Sequence, residues 1–120
     1  MSSWGGYRNG RIPLAALEYV GRGAINGEPQ YLHPVVAAAW RSLAADVRAH
    51  AGVTLAITEG FRPFALQQHY WNTLPYPYAA TPGTSTHGWA TAVDMANYAR
   101  VDKTLLRRLA QARGFSFATG

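Results

Sequence analysis

The chain has 120 residues, 48% of them hydrophobic and 14% charged, proportions that exclude disordered and fibrous classes and leave room for one core and one active cleft. Eleven Lys and Arg against six acids give a net charge of +5, which favours an anionic partner such as nucleic acid, an acidic membrane or an anionic cell wall. With no cysteine, disulfides, thiolate metal sites and thiol nucleophiles are all excluded, so any metal must be held by His and carboxylate.

The arginines are spread from Arg8 to Arg113 with no tight cluster and no recognisable nucleic-acid motif, so nucleic acid is not an expected partner. No apolar stretch approaches the ~20 residues that span a bilayer. The amino terminus lacks a basic-then-apolar signal. Neither a membrane span nor a signal peptide is expected.

In chain order, the first thirty residues, with "NGRIP" and "AINGEP", read as loop with at most a short element around Leu14 to Val20. From His33, Val36, Trp40, Leu43 and Val47 recur at helical spacing, with Pro34 suited to the first turn and Gly52 to the stop. "VTLAIT", Val53 to Thr58, is a short apolar run consistent with a buried strand. Pro63 then opens a helix in which Leu66, Tyr70 and Leu74 share a face, so Arg62 lies at a strand-to-helix corner. "PYPYAATPGT" cannot continue that helix, because its prolines remove donors and fix φ. "TAVDM" alternates like a strand, Asp102 caps a last helix carrying Leu105, Leu106, Leu109 and Ala112, Gly114 closes it, and "FSF" begins another strand. The mixture predicts a single α+β domain over residues 1–120.

His87 follows a Gly-containing loop and precedes, by seven residues, Asp94 in a run of small and apolar side chains. A carboxylate buried in such a run needs a cation or several donors, and a metal held by His87 and Asp94 would supply the charge. A catalytic zinc takes three protein ligands and keeps one position open. The same two residues also fit a structural role, with His87 bonded within a turn and Asp94 capping "MANYAR" or paired with an arginine. Spacing alone does not choose between them.

"STHGWATAVDM" resembles the Ser-x-His-x-x-Gly-x-Ala-x-Asp motif of the zinc D-alanyl-D-alanine carboxypeptidases and L-alanyl-D-glutamate endopeptidases, and more narrowly the form found in endolysins of phages infecting actinobacteria. Ser85, His87, Ala92 and Asp94 match it. "EGFRPFALQQHYWN" is similar to the family's upstream Tyr-Arg segment, here Phe61, Arg62 and Gln67 or Gln68, and "NGRIP" with "AGVTL" extends the resemblance over nearly the whole chain. The resemblance implies a small antiparallel sheet packed against helices, hedgehog and D-Ala-D-Ala-peptidase-like. It implies a monomer acting on a peptidoglycan peptide and released to the wall by a phage lysis system. It makes His87 and Asp94 ligands of Zn2+, Arg62 the stabiliser of the oxyanion, and Ser85 and Gln67 holders of the substrate. It places the general base and third ligand in a Glu/His segment that would follow Gly120, so the 1–120 domain is expected to lack its last strand and motif. Ala90 stands where the family usually has glycine, and its methyl group disturbs the His87 loop if that position needs φ > 0.

Glu59 is either a base or the structural partner of Arg62, and Arg62 itself fits a surface salt bridge as well as a catalytic role. His33, His50 and His69 read as surface or capping residues. Trp40 reads as core, Trp89 as either lining or plugging the cleft, and Tyr76 to Tyr78 as an aromatic loop that either binds or packs on its own domain.

Overall fold

Helix α1 (Pro34–Ala51) is the pillar around which the rest packs, and its sequence accounts for its limits. Proline occupies its first turn, the His33 ring nitrogen accepts from the Val35 amide, and Gly52 ends it in the left-handed conformation with φ 67°. Ala37, Trp40, Leu43 and Val47 form its buried stripe. The computed structural model describes residues 3–74 and 79–117, so Tyr76 to Tyr78 lie outside the described residues.

The architecture is α+β, with two separate two-stranded antiparallel ladders. In the first, β1 (Glu18–Arg22) pairs with β2 (Pro29–Leu32). In the second, β3 (Ala56–Glu59) pairs with β4 (Asp94–Ala96). Helix α2 (Phe64–Thr73) follows β3, and α3 (Lys103–Gln111) packs against α1. Asp102 caps α3 by accepting from the Leu105 amide at 2.9 Å.

The β1–β2 hairpin corrects the expectation of loop before His33. Its strands carry Gly21 and Pro29 and little alternation; pairing is secured by tertiary contacts, with the Phe61 amide bonded to the Tyr31 carbonyl and the Ala24 amide to the Ile57 carbonyl. β3 starts at Ala56 instead of Val53, and β4 starts at Asp94 instead of Thr91, so both strands are shorter than the apolar runs. Phe115–Phe117 forms no strand among the described residues; Phe115 and Phe117 pack on the core beyond the end of α3. α2 buries Gln67, whereas Leu66 and Tyr70 are half-buried and Leu74 is exposed, so its docking face is polar and not the expected apolar one.

Two hydrophobic clusters result. The larger joins the α1 stripe to Leu32, Leu55, Ile57, Val101, Leu106 and Ala110. The smaller joins Ile12, Leu17, Phe61 and Ala90, with Trp4, Tyr7, Tyr31 and Trp89 against it. Trp40 is core as expected, and Trp89 packs on the smaller cluster. β3 runs from Ile57 in the first cluster toward Phe61 in the second, and the candidate site lies where it leaves the ladder.

Leu43 is almost fully buried at the centre of the larger cluster. Leu43→Ala is expected to lower the unfolding free energy by about 2–5 kcal/mol, read from urea denaturation. Asp102→Ala, which removes only the α3 cap, is expected to cost about 1 kcal/mol in the same measurement.

Candidate metal centre

The exit from β3 is stitched to two other segments by its own backbone. The Phe61 amide donates to the Tyr31 carbonyl (2.7 Å) and the Arg62 amide to the His87 carbonyl (2.9 Å). His87 sits on a 3-10 turn, Thr86–Trp89, whose first residue is preceded by Ser85; the Ser85 hydroxyl accepts from the His87 amide at 3.2 Å. The turn ends at Ala90 with φ 60° and ψ 28°. The position does require a left-handed backbone, at a cost of about 1 kcal/mol for a residue with Cβ. The loop is held nonetheless, because the Ala90 methyl is fully buried in the smaller cluster and the Ala90 carbonyl accepts from the His33 amide at 2.8 Å.

The His87 side chain is only 12% exposed. Its Nδ1 lies 2.8 Å from the Gly60 carbonyl, which can only accept, so Nδ1 carries a proton and Nε2 of the neutral ring is left with a lone pair. Nε2 faces the Asp94 carboxylate, 3.3 Å from Oδ2: without a cation between them the protonated ring donates to Asp94, and the neutral ring turns a lone pair toward the same space. Two ligand atoms each about 2.0–2.2 Å from one tetrahedral zinc sit about 3.3–3.5 Å apart, so this separation suits a shared cation. Glu59, His87 and Asp94 each offer a ligand atom within 4.8 Å of the others, a group able to hold a metal ion.

Glu59 and Asp94 are partners across the β3–β4 ladder, brought opposite by the register shift after Ile57. Two carboxylates so placed repel. Arg62 offsets one of them: its Nε donates to Glu59 Oε1 at 3.0 Å and its Nη2 bonds the same oxygen. Glu59 Oε1 lies on the Nδ1 side of the ring, at 3.9 Å, so Glu59 holds Arg62 more directly than it faces Nε2. The Arg62 guanidinium also stacks on Tyr70, 4.9 Å from the ring centroid, and its side chain is 16% exposed.

Asp94 departs from expectation. Its side chain is 59% exposed at the rim of the ladder, not set among apolar neighbours. An exposed carboxylate does not need a cation to be tolerated, so the case for a metal rests on its convergence with His87 and not on burial. Burial pulls the His87 pKa down, but the Asp94 hydrogen bond and the Gly60 carbonyl outweigh it and hold the imidazole above its usual value. The His87 hydrogen bond, working against partial desolvation, holds Asp94 below the usual carboxylate range.

Ser85 and Gln67 are both buried. Gln67 donates from Nε2 to Asn9 Oδ1 (3.0 Å) and to the Arg62 carbonyl (3.1 Å), and its Oε1 accepts from the Gly83 amide (2.9 Å). Gln68 is exposed and, among the described residues, bonds Asn72. Asn9, part of "NGRIP", donates from Nδ2 to the Ser85 carbonyl at 2.7 Å. Sequence reasoning missed Asn9 as a member of the site; an Asn-Gly pair far upstream signals only a turn. His33 caps α1, while His50 and His69 are exposed. A cleft of about 1130 Å³ opens at His87 and Asp94, walled by Val36, Trp40, Val93, Met95, Phe115 and Phe117; a second of about 240 Å³ lies against Glu59, Arg62, Tyr70 and Leu74.

Against known families, residues 29–117 match the model of VanY, D-alanyl-D-alanine carboxypeptidase. No curated protein matches the chain.

In metal-free protein, the raised His87 pKa contributes stability that is complete below about 6.5, the unfolded value, and is lost as pH rises through the folded one. The lowered Asp94 pKa contributes stability complete above about 3.9 and lost as pH falls through its folded value. The stability lost in Asp94→Asn should therefore be greatest between about pH 4 and 6.5 and shrink on either side, as read from urea midpoints measured with chelator present.

Proposed function

The chain belongs to the VanY family of D-alanyl-D-alanine carboxypeptidases, and from that premise we propose that it is a zinc peptidase hydrolysing an amide bond in the peptide stem of bacterial peptidoglycan. The observation that carries the reading is the His87 Nε2–Asp94 pair, fixed on its far side by Gly60 and opening onto the larger cleft, while the tethered Arg62, whose amide bonds the His87 carbonyl, lines the smaller one. Membership in a peptidase family supports the substrate class; the net charge of +5 suits an anionic wall. We further propose that the protein acts as a monomer in the manner of a phage endolysin, and cuts either as a D,D-carboxypeptidase or as an L,D-endopeptidase.

In this reading His87 and Asp94 hold the ion. Zinc bound there supplies Lewis acidity toward the scissile carbonyl and makes water a nucleophile at neutral pH. Arg62 donates to the carbonyl oxygen as negative charge develops on it. Because Glu59 and Tyr70 already fix the guanidinium, little reorganisation accompanies the reaction, which is what makes such a donor effective. Gln67 and Ser85, expected to hold substrate, are buried with their polar atoms engaged in the protein's own hydrogen bonds, so in this reading they support the His87 and Arg62 segments from beneath and do not touch substrate. Glu59, the third acid with a ligand atom within 4.8 Å of those of His87 and Asp94, is tied to Arg62 and is given neither the third-ligand nor the proton-moving role.

A second reading, a non-catalytic wall-binding or signalling module on the same fold, is favoured by one observation: Glu59, the carboxylate beside His87 and Arg62, is already committed to Arg62. Turnover of a peptidoglycan peptide separates the two, because a binder retains peptide without cutting it.

With the full gene product, Arg62→Ala is expected to lower hydrolysis of a stem peptide about 100-fold or more while zinc stays bound, and Asp94→Asn is expected to lower zinc occupancy in equilibrium dialysis. Unchanged hydrolysis in the first and unchanged occupancy in the second would remove both assignments.

A further inference from the structure

We propose that Asn9 is a positioning residue for the metal centre: its buried carboxamide locks the His87 turn to the Arg62 corner, so that ligand and oxyanion donor hold one mutual geometry. The inference rests on the reading of His87 as a ligand. It starts from where each amide points. Gln67 Oε1 accepts from the Gly83 amide, so Gln67 Nε2 is the donor toward Asn9 Oδ1 and the Arg62 carbonyl. With its oxygen thus engaged, Asn9 must turn Nδ2 toward the Ser85 carbonyl, 2.7 Å away. Every atom is then used in the one orientation that satisfies all of them, and among the described residues no buried side-chain polar atom lacks a partner.

The chain of bonds runs from the backbone of Arg62, through Gln67 and Asn9, to Ser85, whose hydroxyl caps the turn bearing His87. Backbone bonds close the loop in parallel: the Gly10 amide donates to the Gly88 carbonyl at 2.8 Å, the Phe64 amide to the Gly10 carbonyl at 2.9 Å, and the Arg62 amide to the His87 carbonyl at 2.9 Å. Packing leaves no slack. A Cβ on Gly88 would collide with the Asn9 carboxamide and come within 2.6 Å of Gln67 Nε2. Asn9 is 6% and Gln67 3% exposed, so neither is free to touch substrate. Asn9 acts through His87, because the Nδ1–Gly60 bond that frees Nε2 depends on where the turn sits.

The test uses Asn9→Asp, which keeps the shape and removes the donor to Ser85, and Asn9→Ala, which opens space for water and stands in if the aspartate variant does not fold. Val47→Ala, a deletion in the distant core, is the control for a loss of stability alone. In metal-free protein above neutral pH, NMR reads the exchange rate of the His87 Nδ1 proton, and calorimetry then reads the zinc Kd. The Asn9 variant should exchange that proton at least about tenfold faster and bind zinc about 10–100-fold more weakly, while Val47→Ala lowers Tm with neither change. Exchange and Kd both within twofold of the parent overturn the proposal, as does a parent in which the Nδ1 proton is unprotected. A parent with a protected proton and no zinc affinity leaves Asn9 as the anchor of the imidazole and sinks the metal reading instead.

Discussion

A 2.8 Å hydrogen bond from His87 Nδ1 to the Gly60 carbonyl is the constraint on which the site depends. It fixes which ring nitrogen carries the proton, and so makes Nε2 the atom presented to Asp94 and the cleft. The carbonyl is in place because Gly60 is gripped on its other side: its amide donates to buried Gln30, and the next amide, Phe61, pairs with Tyr31. The β1–β2 hairpin thus takes part in orienting a side chain that lies far from it in sequence. Asn9 holds the turn that bears His87, Gln30 holds Gly60, and Gly60 holds the ring, so four distant stretches of the chain combine to fix one imidazole.

Charge is distributed in keeping with that arrangement. Among the described residues Glu18 pairs with Arg41, Asp46 with Arg113, Glu59 with Arg62 and Asp94 with His87, and Asp102 caps α3. The acids are largely consumed internally, leaving Lys103, Arg107 and Arg108 outward on α3. Positive charge is therefore displayed as a diffuse surface field, which acts on encounter with anionic material and not on the fold.

How much of this was legible in the sequence depended on whether a local pattern decided the outcome. α1 and α3 were readable because periodicity, Pro34, Gly52 and Asp102 all pointed the same way. The hairpin was not, because its strands are joined by contacts to Ile57 and Phe61 that no window of thirty residues contains. α2 misled for a related reason: its apolar face is weaker than the amide of Gln67, which finds Asn9 and Gly83 in the interior. His87, Asp94 and Arg62 were legible as candidates, and the structure brings them together. That Asp94 lies at the rim was not, since alternation marks a face without saying how deep it is. Ala90 is the reverse case, a residue whose mismatch with its backbone was visible and whose compensation, burial of the methyl group, was not.

The two candidate ligands differ sharply in access, His87 at 12% exposure and Asp94 at 59%. An ion seated between them would have a fixed inner wall and a swinging outer one, so traffic with the medium passes by the aspartate and requires no opening of the chain. The rate of exchange at such a centre would be set by the breaking of the ligand bonds and not by any unfolding of the chain. A stronger chelator would then reach the ion from the aspartate side while the chain stays folded.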